Sequence, residues 1–182
     1  EALRERYVKA LCEEIRIRAR LMSDHAHGVF DTIFFGGGTP SLLTSAQVAR
    51  IIDELKMNFD IDSEAEITLE SNPKALSMES LKGYRDAGVN RLSMGVQSMD
   101  DDILRRLGRI HTAHDVIRDV QNAREAGFDN ISIDLIYALP GQTMEQVKDN
   151  VAKAIALDIP HMSLYSLILE NHTVFMNRMR RG

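Results

Sequence analysis

The sequence carries a run of three glycines followed by hydroxyl residues, Gly36-Gly37-Gly38-Thr39-Pro40-Ser41. Consecutive glycines let backbone amides approach a ligand that side chains would block, and Thr39 and Ser41 add hydroxyls. Such a loop suits a small anionic or zwitterionic group, whereas an ordinary strand-to-helix turn needs one glycine rather than three. No Gly-Lys-Ser/Thr follows, and the Gly-x-Gly-x-x-Gly spacing of dinucleotide folds is missing, so neither of those phosphate-binding signatures is present.

Further polar residues stand where apolar β-rich runs end. The run closing at Thr68-Leu69-Glu70-Ser71-Asn72-Pro73 places the Glu70 carboxylate just before a proline that stops strand pairing. A ribose diol is a natural partner for that carboxylate, and a solvated loop acid is the plain alternative. Gln97 closes the next run and offers both a donor and an acceptor. Arg109, in Leu107-Gly108-Arg109-Ile110-His111, offers a planar fork suited to a carboxylate, although either residue alone reads equally well as surface. Asp134 interrupts a run expected to be buried on both faces, so it needs a partner: a helix N-terminus, a lysine or a ligand hydroxyl.

Composition excludes several other chemistries. Cys12 is the only cysteine and falls in a helical pattern, so the chain forms no internal disulfide and no thiolate cluster of its own, and the thiol reads as a small buried hydrophobe. The six histidines form only short local pairs, His25 with His27 and His111 with His114, and no His-Glu-x-x-His occurs. They read as solvated or hydrogen-bonded, and the nine scattered methionines as core. A net charge of -5 without a basic block argues against nucleic acid. Apolar runs fall far short of the roughly 20 residues that cross a bilayer, and no signal peptide is visible, which predicts a cytoplasmic protein with no transmembrane segment.

The elements that must hold these residues follow from periodicity. Residues 1 to about 22 read as an amphipathic helix, with Leu3, Tyr7, Leu11, Ile15 and Ala19 every four positions. Strands are expected at 29–35, 66–71, 91–97, 130–135 and 161–167. Thr44 and Ser45, Ser77, Thr112 and Thr143 mark the starts of the helices between them, and Gly88 and Gly127 mark C-caps. Strand-helix alternation implies a parallel sheet, and both a barrel and a doubly wound sheet place ligands at the carboxyl ends of their strands. At 182 residues, one compact domain with one core is expected. The first helix opens without a capping residue and the chain stops just after an apolar segment, so truncation at both ends is expected.

Taken in order, Gly-Gly-Gly-Thr-Pro-Ser at 36 to 41, Glu-Ser-Asn-Pro at 70 to 73, Arg-Leu-Ser-Met-Gly-Val-Gln-Ser at 91 to 98, Leu-Gly-Arg-Ile-His at 107 to 111 and Asp-Leu-Ile-Tyr-Ala-Leu-Pro-Gly-Gln-Thr at 134 to 143 resemble the radical-SAM family of oxygen-independent coproporphyrinogen III oxidases. Each motif alone is weak, but five in this order are specific. The resemblance runs from about Phe30 to the end and implies a partial (β/α) TIM-like barrel of parallel strands holding S-adenosylmethionine and an iron-sulfur cluster. It implies that Gly37, Gly38 and Thr39 bind the methionine end of the cofactor, Arg109 its carboxylate, and Glu70 and Asp134 its ribose region, with Gln97 alongside. No catalytic residue and no metal ligand is carried over.

Within the family, the wording at Leu107 to His111 and at Tyr165 to Glu170 is more similar to the HemW-type haem chaperones than to the true oxidase, which decarboxylates propionate side chains of coproporphyrinogen III. The partners implied are porphyrin or haem as substrate or cargo, and a reductant protein as electron donor. Family members carry a Cys-x-x-x-Cys-x-x-Cys motif ahead of the helix with which this chain begins. That motif and the carboxy-terminal region are absent, so residues 1–182 are expected to be the central part of the barrel, inactive alone. From another class, a non-catalytic βα domain binding some other small anion stays open, and finding cysteines upstream of Glu1 would argue against it.

Overall fold

The fold is seen in a computed structural model that describes residues 1–22, 28–168 and 176. The pair His25 and His27, the segment 178–182 and part of the 165–170 motif therefore lie outside the described residues. Helix α1 (Ala2–Met22) is followed by five strands, β1 (Phe30–Phe35), β2 (Ile61–Ser71), β3 (Arg91–Gln97), β4 (Asn130–Tyr137) and β5 (His161–Ser166). Between them run α2 (Ser45–Asn58), α3 (Met78–Asp86), α4 (Asp101–Arg106), α5 (Ala113–Glu125) and α6 (Met144–Ile155), with a short 3₁₀ turn at Pro40–Leu42. The strands pair in chain order, each parallel to the next, as the unbroken alternation predicts. The result is a half-barrel.

Helix starts fall where the sequence marks them. Thr44, Thr112 and Thr143 each accept from the backbone three residues on, while Gln47, Asp115 and Gln146 reach back to the cap amide. Each reciprocal pair satisfies two amides that the helix itself leaves unpaired. Ser77 caps α3 in the simpler one-way form.

The helix-covered side of the sheet forms the core. Ile33, Ile67, Leu69, Leu92, Met94, Val96, Ile131, Ile133 and Leu135 alternate along four strands and are buried there. Full burial of each large side chain stabilises by about 1.5–3 kcal/mol. Cys12 is buried in the same cluster, in the role of small hydrophobe expected of it.

Two sequence expectations need correction. Strand β2 begins at Ile61, five residues before the expected Glu66, because Asp62, Ser63 and Glu64 are exposed and carry no apolar signal. Strand β4 is only partly buried on its second face: Ile131, Ile133 and Leu135 face the helices, while of the residues that alternate with them Ser132 is buried and Asp134 and Ile136 are half-buried. A half-barrel has a concave interior that helices do not cover, so its parallel strands can be polar on that side.

Candidate functional site

At the carboxyl ends of the strands a cleft of about 170 Å³ is lined by Gly38, Thr39, Pro40, Glu70, Ser71, Asn72, Ser93, Gly95, Gln97 and Asp134. These residues come from four chain segments. Register explains part of the meeting, since Glu70 lies beside Ser93 in the β2–β3 pair, whereas Gln97 follows a slip of the β3–β4 register.

The three glycines serve different ends. Gly37 and Gly38 adopt φ of 75° and 55°, the left-handed region that favours glycine. At Gly36 a Cβ would lie 2.4 Å from the Phe34 ring and 3.4 Å from the Glu70 carboxyl carbon, so glycine is needed for space. The Gly37 amide donates to Glu70 Oε2 at 3.0 Å, tying the loop to the second strand. Farther along, the buried Tyr84 of α3 donates its hydroxyl to the carbonyls of Ser41 and Leu43 and fixes the loop's exit. The Thr39 side chain does not cap the turn that follows it.

Among the described residues Asp134 meets the Ser163 hydroxyl, not the helix N-terminus or lysine expected for it. Burial pushes its carboxyl pKa up, the Ser163 hydroxyl opposes that shift, Glu70 adds to it, and Arg91 and His161 oppose it more weakly. Two carboxylates, Glu70 and Asp134, thus share one polar cleft, an arrangement suited to accepting hydrogen bonds from a neutral polyol.

Arg109 stands apart. It lines a neighbouring cavity of about 290 Å³ with Asn72, Lys74 and His111. Its Nη2 nevertheless reaches the cleft wall, donating to Gly95 O at 2.7 Å and to Asn72 Oδ1 at 3.1 Å. Burial lowers its pKa, but a guanidinium stays charged at neutral pH. Its Nε is buried without a partner, and among the described residues no carboxylate forms an ion pair with it. A half-buried cation lacking a counterion is open to an anionic ligand.

The structure therefore gathers Gly38, Thr39, Glu70, Gln97 and Asp134 around one cleft, attaches Gly37 by its bond to Glu70, and sets Arg109 behind the wall at Gly95. Ser71, Asn72, Ser93 and Gly95 also line the cleft and went unremarked as site residues in the sequence reading. Ser71 Oγ is buried without a partner. The signal for Ser93 and Gly95 was available in Leu92, Met94 and Val96, whose alternation announces a strand with one polar face.

Among the described residues no helix is long and apolar enough to cross a membrane, and no group of three His, Cys, Asp or Glu side chains is placed to hold a metal. The single cysteine, buried in α1, cannot provide the several thiolates that hold an iron-sulfur cluster.

Comparison with known proteins bears on this geometry. Residues 2–154 match the Radical SAM superfamily. The chain is 52% identical over 151 residues to the haem chaperone HemW of Lactococcus lactis subsp. lactis, covering 83% of this chain and 40% of that protein. With the haem chaperone HemW of Bacillus subtilis it is 46% identical over 152 residues, again over 83% of this chain and 40% of the relative. The solved structure of the radical SAM enzyme coproporphyrinogen III oxidase (HemN) from Escherichia coli superposes with a TM-score of 0.81 at 33% identity, covering 97% of this chain and 39% of that one.

Proposed function

The chain belongs to the radical SAM superfamily, and on that premise we propose that its cleft binds S-adenosylmethionine in a protein of haem or porphyrin handling. The chain spans about 40% of the length of the curated relatives it matches. In this reading residues 1–182 form one domain, the central part of a radical-SAM barrel. The superfamily implies S-adenosylmethionine and a [4Fe–4S] cluster, whose thiolate ligands this chain does not carry. Bound beside a reduced cluster, the cofactor supplies radical chemistry.

The residues of this chain divide the binding. The loop of Gly37, Gly38 and Thr39 takes the methionine end, with open space at Gly37 and Gly38 and the Gly37 amide held by Glu70. Arg109 takes the carboxylate in charge-assisted hydrogen bonds, which its unpaired charge and orphaned Nε favour. Glu70 and Asp134 accept from the ribose hydroxyls, and Gln97 lies alongside. The observation that carries the reading is the convergence of Gly38, Thr39, Glu70, Gln97 and Asp134 on one cleft, with the Gly37 amide held by Glu70 and Arg109 bonded to its wall at Gly95. No residue is assigned to bond breaking in the substrate.

Haem delivery is favoured over coproporphyrinogen decarboxylation by the identities of 52% and 46% to haem chaperones, against 33% to the oxidase structure. The porphyrin or haem is then cargo, a reductant protein serves as electron donor, and the protein is cytoplasmic. Anaerobic incubation of the full-length protein with coproporphyrinogen III, cofactor and reductant tests this reading. Haem binding without turnover is expected, and robust formation of the decarboxylated product would reject the chaperone assignment.

A further inference from the structure

Strand β3 ends irregularly. Its register with β4 slips between Met94 and Gln97, so that Gly95 and Val96 together face the single residue Asp134, as in a β-bulge. Pairing with β2 has already stopped at Met94. Gln97 then adopts φ of 70°, in the left-handed region rarely occupied by residues other than glycine. The Ser98 amide donates to Val96 O at 2.9 Å and closes a γ-turn around Gln97. A strained turn of this kind persists only where its surroundings over-determine it.

Those surroundings come from one loop. Arg109 Nη2 donates to Gly95 O at 2.7 Å, and His111 Nε2 donates to Val96 O at 2.9 Å. The Val96 carbonyl therefore accepts from both the Ser98 amide and the imidazole. His111 is 4% exposed and does not line the cleft. It directly precedes Thr112, whose capping box with Asp115 anchors it to the start of α5. Donation from Nε2 to a carbonyl requires the Nε2–H tautomer in the neutral ring.

We propose that His111 is a positioning residue: by holding the Val96 carbonyl it fixes the γ-turn that presents Gln97 to the cleft, and so sets cofactor affinity without touching the cofactor. The proposal rests on the reading of the cleft as an S-adenosylmethionine site, and the experiment has two arms so that the two ideas fail separately.

The first arm needs no ligand. In the NMR spectrum of the labelled protein His111 is expected as the Nε2–H tautomer, and the Gln97 Cα and Hα signals should report a left-handed φ in wild type and in H111Q, whose amide nitrogen can replace Nε2. In H111L the left-handed signature should be lost. A Nδ1–H tautomer in wild type, or a left-handed Gln97 in folded H111L, overturns the proposal, and the tautomer remains decisive if H111L does not fold.

The second arm measures S-adenosylmethionine affinity. Both H111L and Q97A should weaken binding roughly 5- to 10-fold, the range of one or two hydrogen bonds. H111Q should recover most of the loss, and H111L should add nothing in the Q97A background. A loss that persists undiminished in that background overturns the proposal. No binding by wild type overturns the cofactor reading instead, and the first arm then decides the role of His111 alone.

Discussion

The two faces of the five-stranded sheet do different work with the same strands. The outer face, from Ile33 to Leu135, is apolar, buried and covered by helices. The concave face offers Ser93, the strained Gln97 and the two carboxylates Glu70 and Asp134 in one cleft. Burial on the outer face offsets what the inner face costs in desolvation and strain. Core packing and cleft chemistry thus fall to alternate residues of the same strands, so a substitution should perturb mainly one of them.

The largest effect should come from breaking the outer face. Leu92 is fully buried, and Leu92→Ala is expected to cost about 2–5 kcal/mol in urea denaturation through lost transfer energy and a cavity. Behind the cleft wall, Arg109→Ala should weaken S-adenosylmethionine binding by roughly 1.5–3 kcal/mol in calorimetry, with Arg109→Lys only partly restoring it. Thr143→Ala, which removes the capping box of α6, should cost about 1 kcal/mol of stability.

Two smaller effects concern pH. Burial raises the Asp134 pKa above the usual carboxylate value, so its ionisation opposes folding. That part of the stability is present below about pH 4 and is lost as the pH rises through the raised pKa. Asp134→Asn should therefore be more stable than wild type at neutral pH while losing affinity for the cofactor, and a less stable variant would break the contrast between the faces. Burial lowers the His111 pKa, so the stability tied to the neutral ring is present above about pH 6.5 and is lost as the pH falls through the lowered value. Denaturation curves between pH 7.5 and 5.5 should show a steeper fall for wild type than for His111→Gln.

Much of this was legible in the sequence because the signals were local. Thr44, Thr112 and Thr143 mark helix starts through contacts three residues long, and the strand ends carry their polar residues in plain order. The parallel order of the strands followed from alternation alone. What escaped depends on relations between strands. The polar alternation of β4 was read as a single anomaly at Asp134, and the partner that Asp134 finds, Ser163, sits on a strand nearly thirty residues away. The placement of Arg109 behind Gly95 rests on a side-chain bond to the backbone fourteen residues away, which no local pattern announces. The alternative of an unrelated anion-binding βα domain gives way to the superfamily match over residues 2–154.

On the proposed reading the concave rim, and not the helix-covered face, receives S-adenosylmethionine. The most direct test is titration of the isotopically labelled chain with S-adenosylmethionine, following backbone amide NMR signals. Shifts concentrated at Gly37, Gly38, Thr39, Glu70, Gly95, Gln97 and Asp134, with α2, α3 and α6 unmoved, are the expected result. Saturable shifts centred on those helices, or no shifts at millimolar cofactor, would contradict it.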